Sequence, residues 1–214
     1  MECCQCQGIE SKFDQAYVAK QLEQYQKEGP KKTALQLIEA LQAEDIHGLT
    51  LLDIGGGVGD LQHGLLKSGV SNVINAEASS AYLEACKEEA ERQGHAHDIR
   101  HLEGNFVDIA EEVPSADIVT LDRVICCYHD MPQLVSLSVQ KATQFYGVVY
   151  PRDIWLIKLF VQIYYNLRHR LQGDPMRIFV HSTEEVESIL RENGFMRHFH
   201  REMGVWQVVV FKRQ

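Results

Sequence analysis

The sequence predicts an α/β domain built on a doubly wound, mostly parallel seven-stranded sheet with an antiparallel strand at its C-terminal edge. Three observations carry that expectation. Apolar runs of strand length alternate with segments of helical periodicity along the chain. A glycine-rich turn stands directly behind the first of those runs, in "LLDIGGGVGD" (51–60). The last two strand patterns, about 196–202 and 205–212, are separated by only a short turn, which suits an antiparallel pair.

The elements can be justified in order. "GPKKTALQLIEAL" sets Ala34, Leu37, Ile38 and Leu41 on one helical face, with Pro30 tolerated in its first turn. "LTLLDI" (49–54) is a short apolar run suited to a buried strand. Leu61, Leu65 and Leu66 then form a helical stripe closed by Gly69. "NVINAE" (72–77) reads as the second strand, and "SSAYLEACKEEAERQG" as a helix with a Ser start and a Gly stop. "DIRHLEG" is a weaker third strand, "ADIVTLD" (116–122) a strong fourth and "FYGVVY" (145–150) a fifth. Between the last two, "DMPQLVSLSVQKATQ" reads as a helix capped by Asp130. Ser182 and Glu185 form an S-x-x-E capping box for a helix that stops at Gly194. "DIWLIKLFVQIYYNLRHRL" (153–171) is an insertion between the fifth and sixth strands, apolar on more than one face. A buried helix is its plainest reading; a pocket lid, a dimer contact and a membrane-surface helix remain open. The organisation is an N-terminal helical segment (1–45), expected to pack on the ligand site, followed by the main domain (46–214).

Composition narrows the class. The chain has 214 residues, 45% hydrophobic and 24% charged, which suits one globular unit with a sizeable core. A net charge of −9 disfavours a general nucleic-acid surface. No uninterrupted apolar run of transmembrane length occurs, and "MECCQCQGIESKFD" lacks the pattern of a secretory signal. Six cysteines without such a signal point to reduced thiols and a cytoplasmic setting. Cys3 and Cys6 have C-x-x-C spacing, but no second pair stands at a zinc-ribbon distance, so no metal site is expected.

The four glycines of 51–60 lie where open α/β sheets bind ligands, at the carboxyl end of a strand and the N-terminus of the next helix. Their spacing is neither G-x-G-x-x-G, since Asp60 occupies the third glycine's place, nor the Walker pattern. What stands is Asp53-x-Gly55-x-Gly57-x-Gly59, with Gly56 inside it.

That pattern resembles motif I of the Rossmann-like S-adenosylmethionine-dependent methyltransferases, over roughly residues 20 to 211. The resemblance implies a methyltransferase fold, S-adenosylmethionine as cofactor and S-adenosylhomocysteine as product. It implies that Glu77, 18 residues beyond Gly59, accepts hydrogen bonds from the ribose hydroxyls. Asn105 stands where the family often has an acid near the adenine, and Phe106 follows it to pack on the ring. "LDRVICCY" matches the segment beside the methionine part, which places Asp122 and Arg123 at the cofactor. "YQKEGPKKT" is also similar to the R-x-G-H-x-x-T stretch of magnesium-protoporphyrin O-methyltransferases, a short likeness that does not carry the substrate.

The reaction implied is in-line transfer of the methyl group to a small molecule. The cofactor carries most of that chemistry, so the protein must align the reactants and exclude water. Tyr128 and His129 are the candidate acceptor-side residues, because His titrates near neutrality and Tyr can orient a hydroxyl or amine. A non-catalytic binding module is the alternative. It would be favoured if the 153–171 helix plugged the pocket. A homodimer is possible.

Overall fold

The computed structural model describes residue 8, residues 12–167, residue 171 and residues 177–214. Cys3, Cys4 and Cys6 lie outside the described residues. The chain opens with α1 (Gln15–Glu28) and α2 (Lys32–Gln42). Then come β1 (Thr50–Ile54), α3 (Asp60–Leu66), β2 (Asn72–Glu77), α4 (Ser80–Gln93), β3 (Ile99–Glu103) and α5 (Phe106–Ile109). Next are β4 (Ala116–Asp122), a 3-10 turn (Ile125–Cys127), α6 (Met131–Val139) and β5 (Ala142–Pro151). The inserted helix α7 (Trp155–Phe160) continues as a π-helical stretch (Val161–Asn166); α8 (Thr183–Glu192), β6 (Phe195–Met203) and β7 (Trp206–Arg213) close the chain.

The seven strands form one sheet in the order β3-β2-β1-β4-β5-β7-β6. The first five pair in parallel with one another, and β7 runs antiparallel to both β5 and β6. The C-terminal strand is thus the antiparallel one, as expected, but it is inserted between β5 and β6, so the sheet's last strand is β6.

Successive residues of each central strand point to opposite faces, and both faces are covered. Leu52, Val119, Val148 and Val209 join one core with Leu134 and Val135 of α6 and Leu190 of α8. Leu51, Ile118, Val149 and Val208 join the other with Leu37 and Leu41 of α2 and Leu61 and Leu65 of α3. A third, smaller cluster binds α1 to the rest through Val18, Leu22, Val58 and Ala85.

The caps read from the sequence hold. Ser79 accepts from the Tyr82 N–H, Asp130 from the Gln133 N–H and Ser182 from the Glu185 N–H, at 3.3, 3.1 and 3.3 Å. Three boundaries differ. Gly29 ends α1 at φ +79°, and α2 begins only at Lys32, so Pro30 lies in the break rather than in a first turn. The stripe at 61–66 ends with Lys67 as its cap, before Gly69. The helix expected through 144 stops at Val139, because Ala142 already pairs with Ala116 of β4. The 153–171 insertion, whose plainest reading was a buried helix, is only partly so. Ile157 and Val161 turn inward at 9% exposure each and Ile154 is half-buried, while Trp155, Leu156, Leu159, Phe160, Ile163, Tyr164, Leu167 and Leu171 are exposed.

Candidate functional site

β1, β2 and β4 end side by side, at Ile54, Glu77 and Asp122, and a cavity of about 810 Å³ opens above them. The loop from β1 to α3 forms its floor. The Gly55 N–H donates to the Ala76 carbonyl at 2.8 Å, which pins the loop to the end of β2. Beneath the loop, the Asp53 carboxylate accepts from Gln62 Nε2 at 3.0 Å and from Thr120 Oγ1 at 2.6 Å. A Cβ on Gly56 would lie 2.0 Å from Gln62 Nε2 and 2.7 Å from Asp53 Oδ2, so this buried polar layer demands glycine. Gly57 has φ +56°, and its missing Cβ would meet only the Tyr82 ring, at 3.8 Å. Its backbone is therefore open to a ligand on the cavity side, a conformation and a proximity that only glycine combines cheaply. Gly59 caps α3 and packs against His63 and Cys86; it does not line the cavity.

Asp53 is 1% exposed, and burial pushes its carboxyl up to about 7 against the opposing hydrogen bonds from Thr120 and Gln62. Its side chain props the loop from below. Glu77 is also buried, and its carboxylate bridges two backbone groups. Oε2 accepts from the Gly57 N–H at 3.0 Å and Oε1 from the Ser79 N–H at 2.9 Å. A carboxylate offers about four acceptor positions, so these two bonds are compatible with two further hydroxyl donors. Asn105 and Phe106 line the wall beyond β3; the Asn105 amide donates to Asp108 Oδ2 at 3.1 Å.

At the end of β4, Arg123 takes φ +60°, the only positive φ of a non-glycine among the described residues. Such a posture is costly for a side-chain-bearing residue, and the surroundings hold it. Its N–H donates to the Val149 carbonyl at 2.8 Å, and its guanidinium grips Asp122 bidentately at 3.0 and 2.8 Å. The guanidinium also sits 6.0 Å from the Trp206 ring centre. Asp60, the first residue of α3, faces the same space; burial and then the Asp122 charge push its carboxyl up to about 6.

The 3-10 turn after Arg123 brings Cys126, Cys127 and Tyr128 to the cavity wall. The two sulfurs are 3.8 Å apart, and both thiols donate to the Arg123 carbonyl. Hydrogen bonding to Cys127, followed by burial, raises the Cys126 thiol above its ordinary value. His181 Nε2 lies 2.9 Å from the carbonyls of both Ile125 and Tyr128 and clamps the turn. His129 is exposed and does not line the cavity, so the structure separates the two acceptor-side candidates.

Several wall residues were not singled out from the sequence. Phe13, Tyr17 and Tyr25 form an aromatic roof, with Phe13 against Tyr82 at 5.2 Å between ring centres. Two hydrogen bonds tie α1 down to α4, from Gln26 to Glu89 at 2.9 Å and from Gln93 to the Tyr25 hydroxyl at 3.1 Å. Lys31, Asp60 and Trp206 also line the wall. Tyr25 and Lys31 fall in the "YQKEGPKKT" stretch, and Asp60 stands where a dinucleotide fingerprint would have its third glycine; Phe13, Tyr17 and Trp206 carried no sequence signal. Among the described residues no group of three or more His, Cys, Asp or Glu side chains could hold a metal.

Comparison with known proteins agrees with this arrangement. Residues 52–140 match the model of a family described as a methyltransferase domain. No curated protein sequence matches the chain. Among solved structures, magnesium protoporphyrin IX methyltransferase from Synechocystis, with bound S-adenosylhomocysteine, superimposes with a TM-score of 0.67 at 16% identity, covering 86% of this chain and 83% of that one. An O-methyltransferase family protein from Burkholderia thailandensis gives 0.70 at 12% identity, over 95% of this chain and 61% of the other. An O-methyltransferase family 2 protein from Planctomyces limnophilus, in complex with apigenin, gives 0.65 at 15% identity, over 85% and 57%. Residues 52–140 are therefore similar to a family described as a methyltransferase domain, and the chain has the Rossmann-like fold of these solved methyltransferase structures.

Proposed function

We propose that the protein binds S-adenosylmethionine in this cavity and directs its methyl group onto a small-molecule acceptor by in-line displacement. One observation carries the reading. The glycine loop, Glu77, the Asn105–Phe106 wall and the Asp122–Tyr128 segment converge from four separate parts of the chain on one cavity of about 810 Å³. That volume is in the upper part of the range for small-molecule sites, about 300–1,000 Å³, so an acceptor has space beside a cofactor.

The fit rests on this chain's own groups. The open face of Gly57 admits the nucleoside against the backbone. Glu77 accepts from the ribose hydroxyls while it holds the loop. Asn105 and Phe106 border the adenine, and Asp122 and Arg123 border the methionine end. When bound, the cofactor supplies a methyl group on a sulfonium leaving group. Tyr128 orients the acceptor's nucleophilic atom, and the α1 roof with Phe13, Tyr17 and Tyr25 keeps water from the reacting atoms.

A small acceptor is favoured over a nucleic acid by the net charge of −9. The second reading, a non-catalytic binding module, has less support. None of the described residues of 155–167 lines the cavity, which supports an open acceptor space over a plugged one. Calorimetric titration with S-adenosylmethionine tests the binding half of the proposal, and a folded protein that shows no binding heat would refute it.

A further inference from the structure

We propose that the outward face of the 155–167 helix docks the protein on an anionic lipid bilayer surface. This goes beyond methyl transfer and does not depend on it. Trp155, Leu156, Leu159, Phe160, Ile163 and Tyr164 are each between 47% and 69% exposed. They recur in two rows of four-residue spacing and so form one continuous stripe. Leu167 and Leu171, 49% and 79% exposed, continue the spacing of the first row, whereas the remaining exposed large apolar side chains among the described residues, Tyr17, Leu35, Met196 and Val205, are scattered far along the chain. Single exposed apolar residues are ordinary; a contiguous stripe marks a surface that something covers.

The occupant follows from the chemistry of the stripe and its flanks. It mixes Trp and Tyr with Leu, Ile and Phe, the set that settles at the headgroup boundary, where one end of the ring is apolar and the other wet. Residues 152–177 carry five Lys or Arg against two Asp, in a chain whose net charge is −9, although Arg152 pairs with Glu202 and Lys158 with Asp153. This local reversal of sign complements anionic headgroups. A second copy on the same face would set cationic segment against cationic segment. No helix among the described residues is long and apolar enough to cross a membrane, so the helix lies in the plane of the surface. The stripe is also tied to the cavity wall. The Asn166 amide bonds both the carbonyl and the N–H of Ile178, at 2.9 and 3.0 Å, and Ile178 lines the cavity.

Co-sedimentation of the full chain with vesicles tests this. The protein should pellet with phosphatidylcholine–phosphatidylserine vesicles, far less with pure phosphatidylcholine, and less again as salt is raised. Trp155→Ser combined with Phe160→Ser should weaken partitioning at least roughly tenfold. Both side chains are exposed, so an unchanged melting temperature verifies that the variant is folded. The proposal is overturned if the folded protein stays in the supernatant with either vesicle, binds both equally, or binds undiminished in the double variant. A lipid-free dimer that the double variant dissociates would also overturn it, and would assign the stripe to a second copy.

Discussion

Replacing Glu77 by Ala separates the two tasks assigned to one carboxylate. In the protein itself, the substitution removes the acceptor of the Gly57 N–H at 3.0 Å and of the Ser79 N–H at 2.9 Å. Those donors sit around a side chain only 5% exposed, so water replaces it poorly, and stability should fall by about 1–3 kcal/mol. Toward the ligand, hydrogen bonds from ribose hydroxyls to a charged acceptor are worth about 1.5–3 kcal/mol, or ~10–150-fold in Kd. A loosened loop would weaken any adenosyl ligand, so the loss in affinity alone does not isolate the hydroxyl bonds. A double-mutant cycle does. Calorimetry would compare S-adenosylhomocysteine with its 2′,3′-dideoxy analogue, on the native chain and on Glu77→Ala. The native chain should prefer the full ligand by about 1.5–3 kcal/mol, and the variant should have little preference left. A preference that survives the substitution would show that Glu77 does not bind the ribose.

Gly57→Val should abolish S-adenosylmethionine binding in a folded protein, since it forces a β-branched residue to φ +56° and fills the ligand's side of the loop; calorimetry with a circular-dichroism control reads both. Asp53→Asn tests the buried carboxyl. Its folded value of about 7 lies above the ordinary carboxyl value of 3.8, so the native chain loses this group's contribution as pH rises between those values. Thermal melts should therefore show the variant gaining on the native chain across that window, by up to about 4 kcal/mol, with no gain in more acidic buffer. A constant difference at every pH would contradict it. Tyr128→Phe should lower turnover with a cognate acceptor about tenfold or more, while His129→Ala, on an exposed residue outside the cavity wall, should stay within about twofold.

Much of the fold was legible because local rules and tertiary packing agree. Strand-length apolar runs alternate with helical stripes, and Ser79, Asp130 and Ser182 cap helices where the pattern places them. The glycine loop was legible for the same reason, since its spacing encodes a backbone shape. Failures came where distant pairing decides. Gln140 through Gln144 continue a helical pattern, yet the edge offered by β4 draws Ala142 onward into β5. The insertion of β7 between β5 and β6 follows from which edge is free, which a short turn does not encode. In the site, Asp53, Gly55, Gly56, Gly57, Glu77, Asn105, Phe106, Asp122, Arg123 and Tyr128 all meet at the cavity, whereas Gly59 and His129 do not. The aromatic roof was unreadable because α1 contributes it by folding over α4, and no local periodicity marks a ring that faces a ligand.

The central claim is that this cavity moves a methyl group between two bound small molecules. Its most direct test is incubation of the protein with methyl-labelled S-adenosylmethionine and a cell metabolite extract, followed by mass spectrometry of the small-molecule fraction. The account predicts a labelled small molecule that accumulates in step with S-adenosylhomocysteine and is absent with Gly57→Val. A protein that binds S-adenosylmethionine tightly yet leaves the label in it, across extracts, would contradict methyl transfer and favour a binding module.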